Sequence, residues 1–260
     1  MYCANGRLNE IKPLFECFDD SLLISFFDGI FGNAYCDNLE NPKCAFVCAG
    51  DFFFIAGDFK NEEFSKQAAC FINERPQAVV VPDNINWQDS LNKFGKKLIK
   101  VERFHTTQPE KGFDTEKLEK IKNKVEDFPE ISLCRIDEKF YNKALEHQWS
   151  ESFVCNFKNF DDYSEHGFGY IITDGENILS GTSSFSYYKG GVEIEVATDE
   201  PCRMKGYAQI TSAAFILECL KRNLTPHWDA RNEISISIAK KMGFVFKDKY
   251  AALEFEQSSI

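Results

Sequence analysis

The stretch CRMKGYAQ, residues 202 to 209, stands between a strand-like run, GVEIEVAT, and a long apolar helix pattern. Where a strand leads directly into a helix, backbone N–H groups remain unpaired at the positive end of the helix dipole, and these groups can bind an anion. Arg203 and Lys205 add positive charge, Gly206 lets a diphosphate approach the backbone, and Ala208 keeps the first helical turn narrow. The pattern predicts a phosphate-binding loop; the alternative is that the glycine only starts the helix.

Other motifs for phosphate binding or catalysis are missing from the sequence. The loop has neither the G-x-x-x-x-G-K-[ST] pattern of a Walker A loop nor the three glycines of a dinucleotide-binding fingerprint. No G-x-S-x-G occurs, which disfavours a hydrolase with that nucleophile motif. The four histidines show no H-x-x-x-H spacing and the ten cysteines no C-x-x-C, so we predict no metal site.

The composition is that of an ordinary soluble protein with ample core. The chain has 260 residues, of which 43% are hydrophobic and 27% are charged. Its formal net charge of −11 argues against nucleic acid or an anionic membrane as a partner, because phosphate contacts need a basic surface, and it is compatible with a cationic substrate. The cysteines lie in a large chain without a secretion signal or a long apolar run, so we expect a cytoplasmic protein without a membrane span. The sequence leaves the oligomeric state open.

The elements around the loop predict an α/β fold. A hairpin of NILSGTSSFSYY and GVEIEVAT is followed by a helix from Gly206 to Arg222, the strand TPHWDA, a helix from Asn232 to Met242, and the strands FVFKD and YAALEFE. The first half of the chain repeats this order of hairpin, helix, strand, helix and strand. The repetition predicts an internal duplication of one α/β unit.

A polar segment at about residues 105–128 separates the two copies. We therefore predict two domains, residues 1–127 and residues 128–260. Only the second domain carries the basic loop, so any cofactor site should lie there.

Two motifs in the second half resemble the GNAT superfamily of N-acetyltransferases. The coenzyme A loop of that family reads [QR]-x-x-G-x-[GA], which Arg203-x-x-Gly206-x-Ala208 matches, and its next helix carries N-x-x-[AS]-x(7)-G-[FY]. The second motif is matched by Asn232, Ser235, Gly243 and Phe244. The wider run over residues 150–188 looks like the branch that includes zwittermicin A resistance acetyltransferases.

The resemblance implies a mixed, splayed sheet with helices on both faces, a degenerate GNAT-like first half, and acetyl-CoA as co-substrate. It implies that the pantetheine arm is held by backbone groups of the strand residues Val196, Ala197 and Thr198, one of whose N–H groups would polarise the thioester carbonyl. It implies that the pyrophosphate is held by Arg203, Met204, Lys205, Gly206, Tyr207 and Ala208. On the next helix, Asn232 and Ser235 would also contact the cofactor, although a plain helix N-cap explains Asn232 equally well.

The groups on the acceptor side are less well defined by the resemblance. Trp228 and Asp229, at the end of the strand beside the implied cleft, are candidates for the acceptor pocket, or they simply fill and cap the sheet edge. Many GNAT enzymes keep a tyrosine seven residues after the motif asparagine as proton donor to the departing thiolate, and this sequence has Ala239 there. Tyr207, Tyr250 or water could take that role, and the sequence does not choose among them.

The reaction that the resemblance implies also needs a base. An amine must be neutral to attack a thioester, and for a lysine-like amine with a pKa near 10.4 this costs roughly 4–5 kcal/mol at pH 7. A carboxylate that acts as general base recovers part of that cost. Glu193 and Glu195, which share one face of the strand before the loop, are the candidate catalytic residues. The alternative is that this face is only solvated.

The sequence therefore predicts a metal-free, acetyl-CoA-dependent N-acetyltransferase. Its acceptor would be the amine of a small cationic molecule, with cationic antibiotics among the candidates. One alternative is a GNAT-like module that holds coenzyme A without turnover, which Ala239 favours. Another is acetylation of a protein amine.

Overall fold

The computed structural model describes residues 1–256. These residues form two compact units. The first consists of Met1–Arg103 and the segment that begins at Lys249, and the second is Phe104–Asp248.

The boundary between the units differs from the one expected at residue 127, because the polar segment packs into the second unit. Its helix, Thr115–Lys122, places Leu118 fully buried in the same core as Phe215 and Ile216 of the long helix that follows the basic loop. The segment resembles a linker because its other residues are mostly charged, yet the single buried leucine, Leu118, docks it in this core.

The first unit contains a seven-stranded sheet in the order β1-β2-β3-β4-β5-β12-β6. Its strands are β1 (Tyr2–Cys3), β2 (Asn33–Cys36), β3 (Cys44–Ala49), β4 (Phe52–Gly57), β5 (Val79–Pro82), β6 (Leu98–Thr107) and β12 (Val245–Phe255). Its helices are α1 (Leu8–Ile11), α2 (Ser21–Phe27), α3 (Glu62–Asn73) and α4 (Trp87–Asn92). The chain enters the second unit within β6, after Arg103, and returns to the first unit within β12, at Lys249.

The strand β12 corrects one detail of the sequence prediction. FVFKD and YAALEFE were expected as two strands and form one continuous strand, Val245–Phe255. No glycine or proline interrupts this run, so nothing forces a turn between its halves.

The core of the first unit follows from its apolar strands. All six residues of β3 are buried, and β4 pairs with β3 antiparallel and with β5 parallel. Helix α3 begins at the N-cap Asn61, whose side chain accepts from the Phe64 N–H, and it buries Phe64, Ala68 and Ile72 at helical spacing against the sheet.

The second unit is built on a five-stranded sheet in the order β11-β10-β9-β8-β7. Its strands are β7 (Ser132–Arg135), β8 (Gly169–Thr173), β9 (Ile178–Tyr188), β10 (Gly191–Thr198) and β11 (Thr225–His227). Its helices are α5 (Thr115–Lys122), α6 (Glu138–Ala144), α7 (Phe160–His166), α8 (Tyr207–Lys221) and α9 (Glu233–Met242). Only β11 runs parallel to its neighbour, β10.

Helices cover both faces of this second sheet, as predicted. On one face, Val192 and Ile194 of β10 pack into a core with α5, α8 and α9. On the other face, a cluster that includes Phe153 and Tyr163 covers Ile171 of β8, with contributions from α6 and α7. The mixed α/β architecture of the prediction is confirmed.

The helix ends of the second unit match the sequence signals closely. Helix α8 begins after Gly206 (φ +86°) and is followed by Asn223 in the left-handed region (φ +58°). Helix α9 begins after Asn232 and ends at Gly243 (φ +112°). The strand TPHWDA is shorter than expected, because regular pairing covers only Thr225–His227. Among the described residues, no helix is long and apolar enough to cross a membrane.

Candidate active site

The strands β10 and β11 separate partway along their length. They pair in parallel through only three registered pairs, from Gly191–Thr225 to Glu193–His227. Strand β10 then continues for the five residues Ile194–Thr198, still paired with β9 on its other edge. Within residues 1–256 no strand pairs with the second edge of this stretch, so its backbone groups can bind an extended ligand.

A bulge lies at the level where the strands separate. Glu193 pairs with Ser186 and Ile194 pairs with Ser184, so Phe185 is an extra residue in β9. The Asn156 side chain donates to the Phe185 carbonyl at 3.0 Å and satisfies this interrupted position. A bulge bends its strand and increases its twist, and this bulge in β9 lies at the level where the pairing of β10 with β11 ends.

The corresponding strands of the first unit stay together. Strands β4 and β5 pair in parallel from Phe52–Val79 to Ile55–Pro82, and the Gly57 N–H then donates to the Asp83 carboxylate at 2.8 Å. Within residues 1–256, the first unit therefore shows no comparable opening between β4 and β5.

The basic loop joins the open strand β10 to helix α8. A short 3-10 turn, Glu200–Cys202, is followed by Met204 with a left-handed backbone (φ +64°) and an almost fully exposed side chain (98%). Gly206 is also left-handed, and a Cβ added there would meet no atom within 4 Å, so space is open in front of its backbone. No hydrogen bond within the described chain uses the N–H groups of residues 204–208. The loop thus presents consecutive free N–H donors at the start of a 15-residue helix.

The charged and aromatic side chains of the loop have different surroundings. Arg203 is exposed, and its Nε donates to the carbonyl of Thr198, the last residue of β10, at 3.4 Å. Lys205 is exposed, with its ammonium 5.9 Å from the centroid of the Tyr207 ring. The Tyr207 ring itself is buried and packs edge-on against Phe128, and burial raises the pKa of its phenol. The Tyr207 side chain therefore anchors the loop in the core, and its backbone N–H has no hydrogen-bond partner within the described chain.

The second motif forms a hydrogen-bonded group at the start of α9. The Asn232 side chain accepts from the N–H groups of Ile234 and Ser235 at 3.1 and 3.0 Å, which is a helix N-cap. The Ser235 hydroxyl accepts from the Trp228 indole N–H at 3.0 Å, and Trp228 is only 3% exposed and packs against Phe244. Trp228 thus packs in the core that includes Ile236 and Met242 of α9.

The position that carries a tyrosine in many family members is part of the core. Ala239 is fully buried with Trp228 and Phe244, on the face of the sheet that α8 and α9 cover. Tyr250 belongs to the first unit, where its hydroxyl accepts from Arg103 Nε at 3.1 Å. Tyr207 is buried and Tyr250 is bonded to Arg103 in the first unit. Water is therefore the remaining candidate for the proton donor to the departing thiolate.

The two candidate bases share one face of β10 but differ in environment. The Glu193 side chain is 8% exposed, and its Oε1 accepts from the Asp229 N–H at 3.0 Å, two residues beyond the end of β11. Glu193 therefore ties β10 to the chain beyond β11 across the point of separation. Glu195 is half-buried and lies one pleat further along the open stretch. Asp229 is half-buried beside them.

One polar pair on this face was missed by the sequence reasoning. The Tyr188 hydroxyl and His227 Nε2 are 2.7 Å apart, and both side chains are half-buried. His227 is in register with Glu193, so the pair lies at the level where β10 and β11 separate. A possible signal was Gly191 after the hairpin turn, because its missing side chain is what lets a large neighbour lie across β10.

Residues 12–253 match the sequence profile of the GNAT acetyltransferase family. The chain belongs to this family. The match begins directly after α1 and runs into β12, so it covers most of the first compact unit and all of the second. The expected GNAT-type architecture is thereby confirmed, and the family makes the chain an N-acetyltransferase.

Individual relatives agree with this assignment. An uncharacterised N-acetyltransferase of Bacillus subtilis (strain 168), YdfB, is 25% identical over 249 residues, which cover 90% of this chain and 91% of that protein. The crystal structure of a GCN5-related N-acetyltransferase-like protein from Streptococcus suis 89/1591 is 29% identical, covers 96% of this chain and 99% of that one, and superposes with a TM-score of 0.85. A glucosamine N-acetyltransferase region of a fungal multi-domain β-N-acetylglucosaminidase shares the fold alone, with a TM-score of 0.58, 9% identity, and coverage of 98% of this chain and 37% of that one.

Proposed function

We propose that this protein transfers an acetyl group from acetyl-CoA to the amine of a small cationic acceptor. One observation carries the proposal: the pairing of β10 with β11 ends at Glu193, while β10 runs on for five residues directly into a loop of free N–H groups. An open strand edge suits the amide groups of a pantetheine arm, and a helix N-terminus suits a diphosphate. Coenzyme A has these two parts in this order.

Each predicted cofactor residue has a place in this proposal. Backbone groups of Val196, Ala197 and Thr198 would bind the arm, and one N–H would stabilise the oxyanion that develops on the thioester carbonyl. Residues 204–208 would bind the diphosphate, and the exposed Arg203 would add a positive charge beside it. The Asn232 side chain already caps α9 and the Ser235 hydroxyl already accepts from the Trp228 indole N–H, so we propose that both residues act mainly by holding that helix in place.

Bound acetyl-CoA supplies an activated acetyl group, and the chain supplies proton transfer and orientation. We propose Glu195 as the general base that removes the proton of the acceptor ammonium, because it lies on the open stretch of β10. Glu193 would orient the site through its bond to the Asp229 N–H. The departing thiolate would take its proton from water, since a thiol with an ordinary pKa of about 8.5 leaves without a strong acid.

The acidic side chains near the open stretch of β10 are the basis for proposing a cationic acceptor. Glu193, Glu195 and Asp229 lie around the point where the strands separate, and the chain carries a formal charge of −11. An acidic surface attracts a cationic amine and raises its encounter rate. The resemblance to acetyltransferases of zwittermicin A resistance makes cationic antibiotics the first acceptors to assay. A protein amine would be the next class, and the ten thiols suit a reducing compartment such as the cytoplasm.

A non-catalytic role in binding coenzyme A is the second candidate, and the buried Ala239 favours it. The test is release of free thiol from acetyl-CoA by the purified protein with a panel of small amines that includes cationic antibiotics. Acetylation of at least one amine supports the enzyme. Binding of acetyl-CoA without thiol release in any mixture supports the non-catalytic module.

Gly206→Glu tests the diphosphate site, because a carboxylate there would occupy and repel the phosphate position. At a ligand concentration of 100 times Kd, acetyl-CoA should stabilise the wild type by about 2.7 kcal/mol, a rise in Tm of roughly 5–10 °C. The variant should lose this rise. Gly175→Glu is the matched control, since Gly175 is also left-handed and open but lies in the turn between β8 and β9. An undiminished rise in the Gly206 variant would move the site elsewhere.

A further inference from the structure

We propose that His227, held by Tyr188, receives the acceptor's proton from the carboxylates of β10 and releases it to solvent. This inference rests on the proposed amine acetylation. The residues Glu195, Glu193, His227 and Tyr188 will be called the polar row.

The first step of the argument is the position of Tyr188. An added Cβ at Gly191 would lie 2.2 Å from the Tyr188 ring, so the ring lies across β10 on the face to which a side chain at residue 191 would point. The hydroxyl reaches across to His227 Nε2 on β11, at 2.7 Å. The Tyr188–His227 bond therefore lies on the same face of β10 as residues 191, 193 and 195.

The second step is the register of the strands. Glu193 and His227 are the last registered pair of β10 and β11, and their side chains share a face. Neighbouring strands lie about 4.8 Å apart, so the carboxylate and the imidazole are neighbours, and Glu195 follows about 7 Å along β10. The polar row runs from the open stretch to a half-buried histidine.

The third step is the proton balance of the reaction. An ammonium acceptor loses two protons as its nitrogen forms the amide bond and the carbon–sulfur bond breaks. One proton is taken up by the departing thiolate and the other must leave the site in every turnover. Glu195 can take it first, but a carboxyl must then pass it on before the next cycle.

His227 is suited to receive that proton. An ordinary imidazole has a pKa near 6.5 and an ordinary glutamate near 4.3, so transfer from the carboxyl to the imidazole is favoured by about 100-fold. Tyr188 can donate to neutral Nε2 and accept from protonated Nε2–H, so the bond holds the ring in both states. Tyr188 from β9 is bonded to His227 and Glu193 from β10 is in register with it, and Asp229 follows two residues later on its own segment.

The alternative is that the Tyr188–His227 hydrogen bond only stabilises the packing of β9, β10 and β11. A measurement of the His227 pKa distinguishes this structural role from the proposed proton transfer and needs no catalytic turnover. The pKa of His227 can be followed by NMR of histidine-labelled protein, with His227→Gln identifying its signal among four histidines. Glu193→Gln should lower this pKa by about 0.5–1 pH unit, because the neighbouring carboxylate stabilises the imidazolium. An unchanged pKa would overturn the proposed transfer.

Kinetics supply the second readout. His227→Gln should lower kcat about 10-fold or more in dilute buffer, added imidazole should restore much of the loss, and the Kd for acetyl-CoA should stay within about twofold. Tyr188→Phe, which removes one hydroxyl, should show a smaller loss of the same kind. His166→Gln is the control, since His166 stacks on Tyr187 at 4.8 Å and lies outside the polar row, and it should keep wild-type kcat.

The outcomes of the two proposals are distinguishable. A wild type that acetylates no amine would refute the proposed function. A wild type that acetylates amines, together with a His227→Gln variant of normal kcat or a loss that imidazole cannot restore, would refute the role of His227 and leave the acetyltransferase intact.

Discussion

Replacing Glu195 with glutamine should lower kcat by about 100-fold or more and leave the affinity for acetyl-CoA nearly unchanged. Glutamine keeps the shape of the side chain and removes its basicity. Glu195 lies on the open stretch of β10, where a substrate amine can reach it, and its carboxylate is not needed for the backbone contacts that we assign to the cofactor. The loss should therefore appear in the chemical step.

Glu193→Gln should behave differently because the structure gives Glu193 another partner. Its Oε1 accepts from the Asp229 N–H at 3.0 Å, and a glutamine oxygen can still accept this bond. Changing a charged acceptor to a neutral one should cost about 1 kcal/mol of unfolding free energy, whereas Glu193→Ala leaves the Asp229 N–H unpaired and should cost about 2–3 kcal/mol. We expect kcat to fall by about 10-fold in Glu193→Gln, as in His227→Gln and less than in Glu195→Gln.

The assay is thiol release as a function of pH for the wild type and both glutamine variants, with acetyl-CoA affinity measured by calorimetry. Without its base, Glu195→Gln should acetylate only the fraction of acceptor that is already neutral, so its activity should rise steeply toward the pKa of the amine. Wild-type kcat near pH 7 in both variants would refute the carboxylate mechanism. A larger loss in Glu193→Gln than in Glu195→Gln would exchange the two roles.

Two further predictions concern packing and thiol chemistry. Gly191→Ala should lower the unfolding free energy by roughly 1–3 kcal/mol. The new Cβ would lie 2.2 Å from the Tyr188 ring, so the ring must move. An unchanged denaturation midpoint would contradict the position of Tyr188. Burial raises the pKa of Cys48 to about 11, so only about one thiol in a thousand is thiolate at pH 8. Alkylation of Cys48 should therefore be far slower than alkylation of the exposed Cys70. Equal alkylation rates of the two cysteines, measured by mass spectrometry, would show that Cys48 is accessible.

Much of the second unit could be predicted because its signals are local. Gly206, Asn232 and Gly243 have the backbone conformations or caps that their residue types favour, and these three positions fixed the ends of two helices and the place of the loop. The order of elements followed from their periodicity.

What could not be predicted depends on contacts between distant residues. The pairing of β10 with β11 ends at the level of a bulge in β9, and no turn residue marks Phe185 as the extra residue. The buried state of Trp228 depends on Ser235 and Phe244, which the strand pattern alone does not place around it. The boundary of the units was missed because a single leucine, Leu118, docks a segment whose composition is polar.

The central claim is that the open edge of β10 and the loop before α8 hold acetyl-CoA. Backbone hydrogen exchange with and without acetyl-CoA tests it directly, since the ligand should satisfy N–H groups that are free in the described structure. We predict protection concentrated in residues 194–198 and 204–208, with little change in residues 43–75 of the first unit. Protection mainly in residues 43–75, or no protection of the loop at saturating acetyl-CoA, would contradict the account.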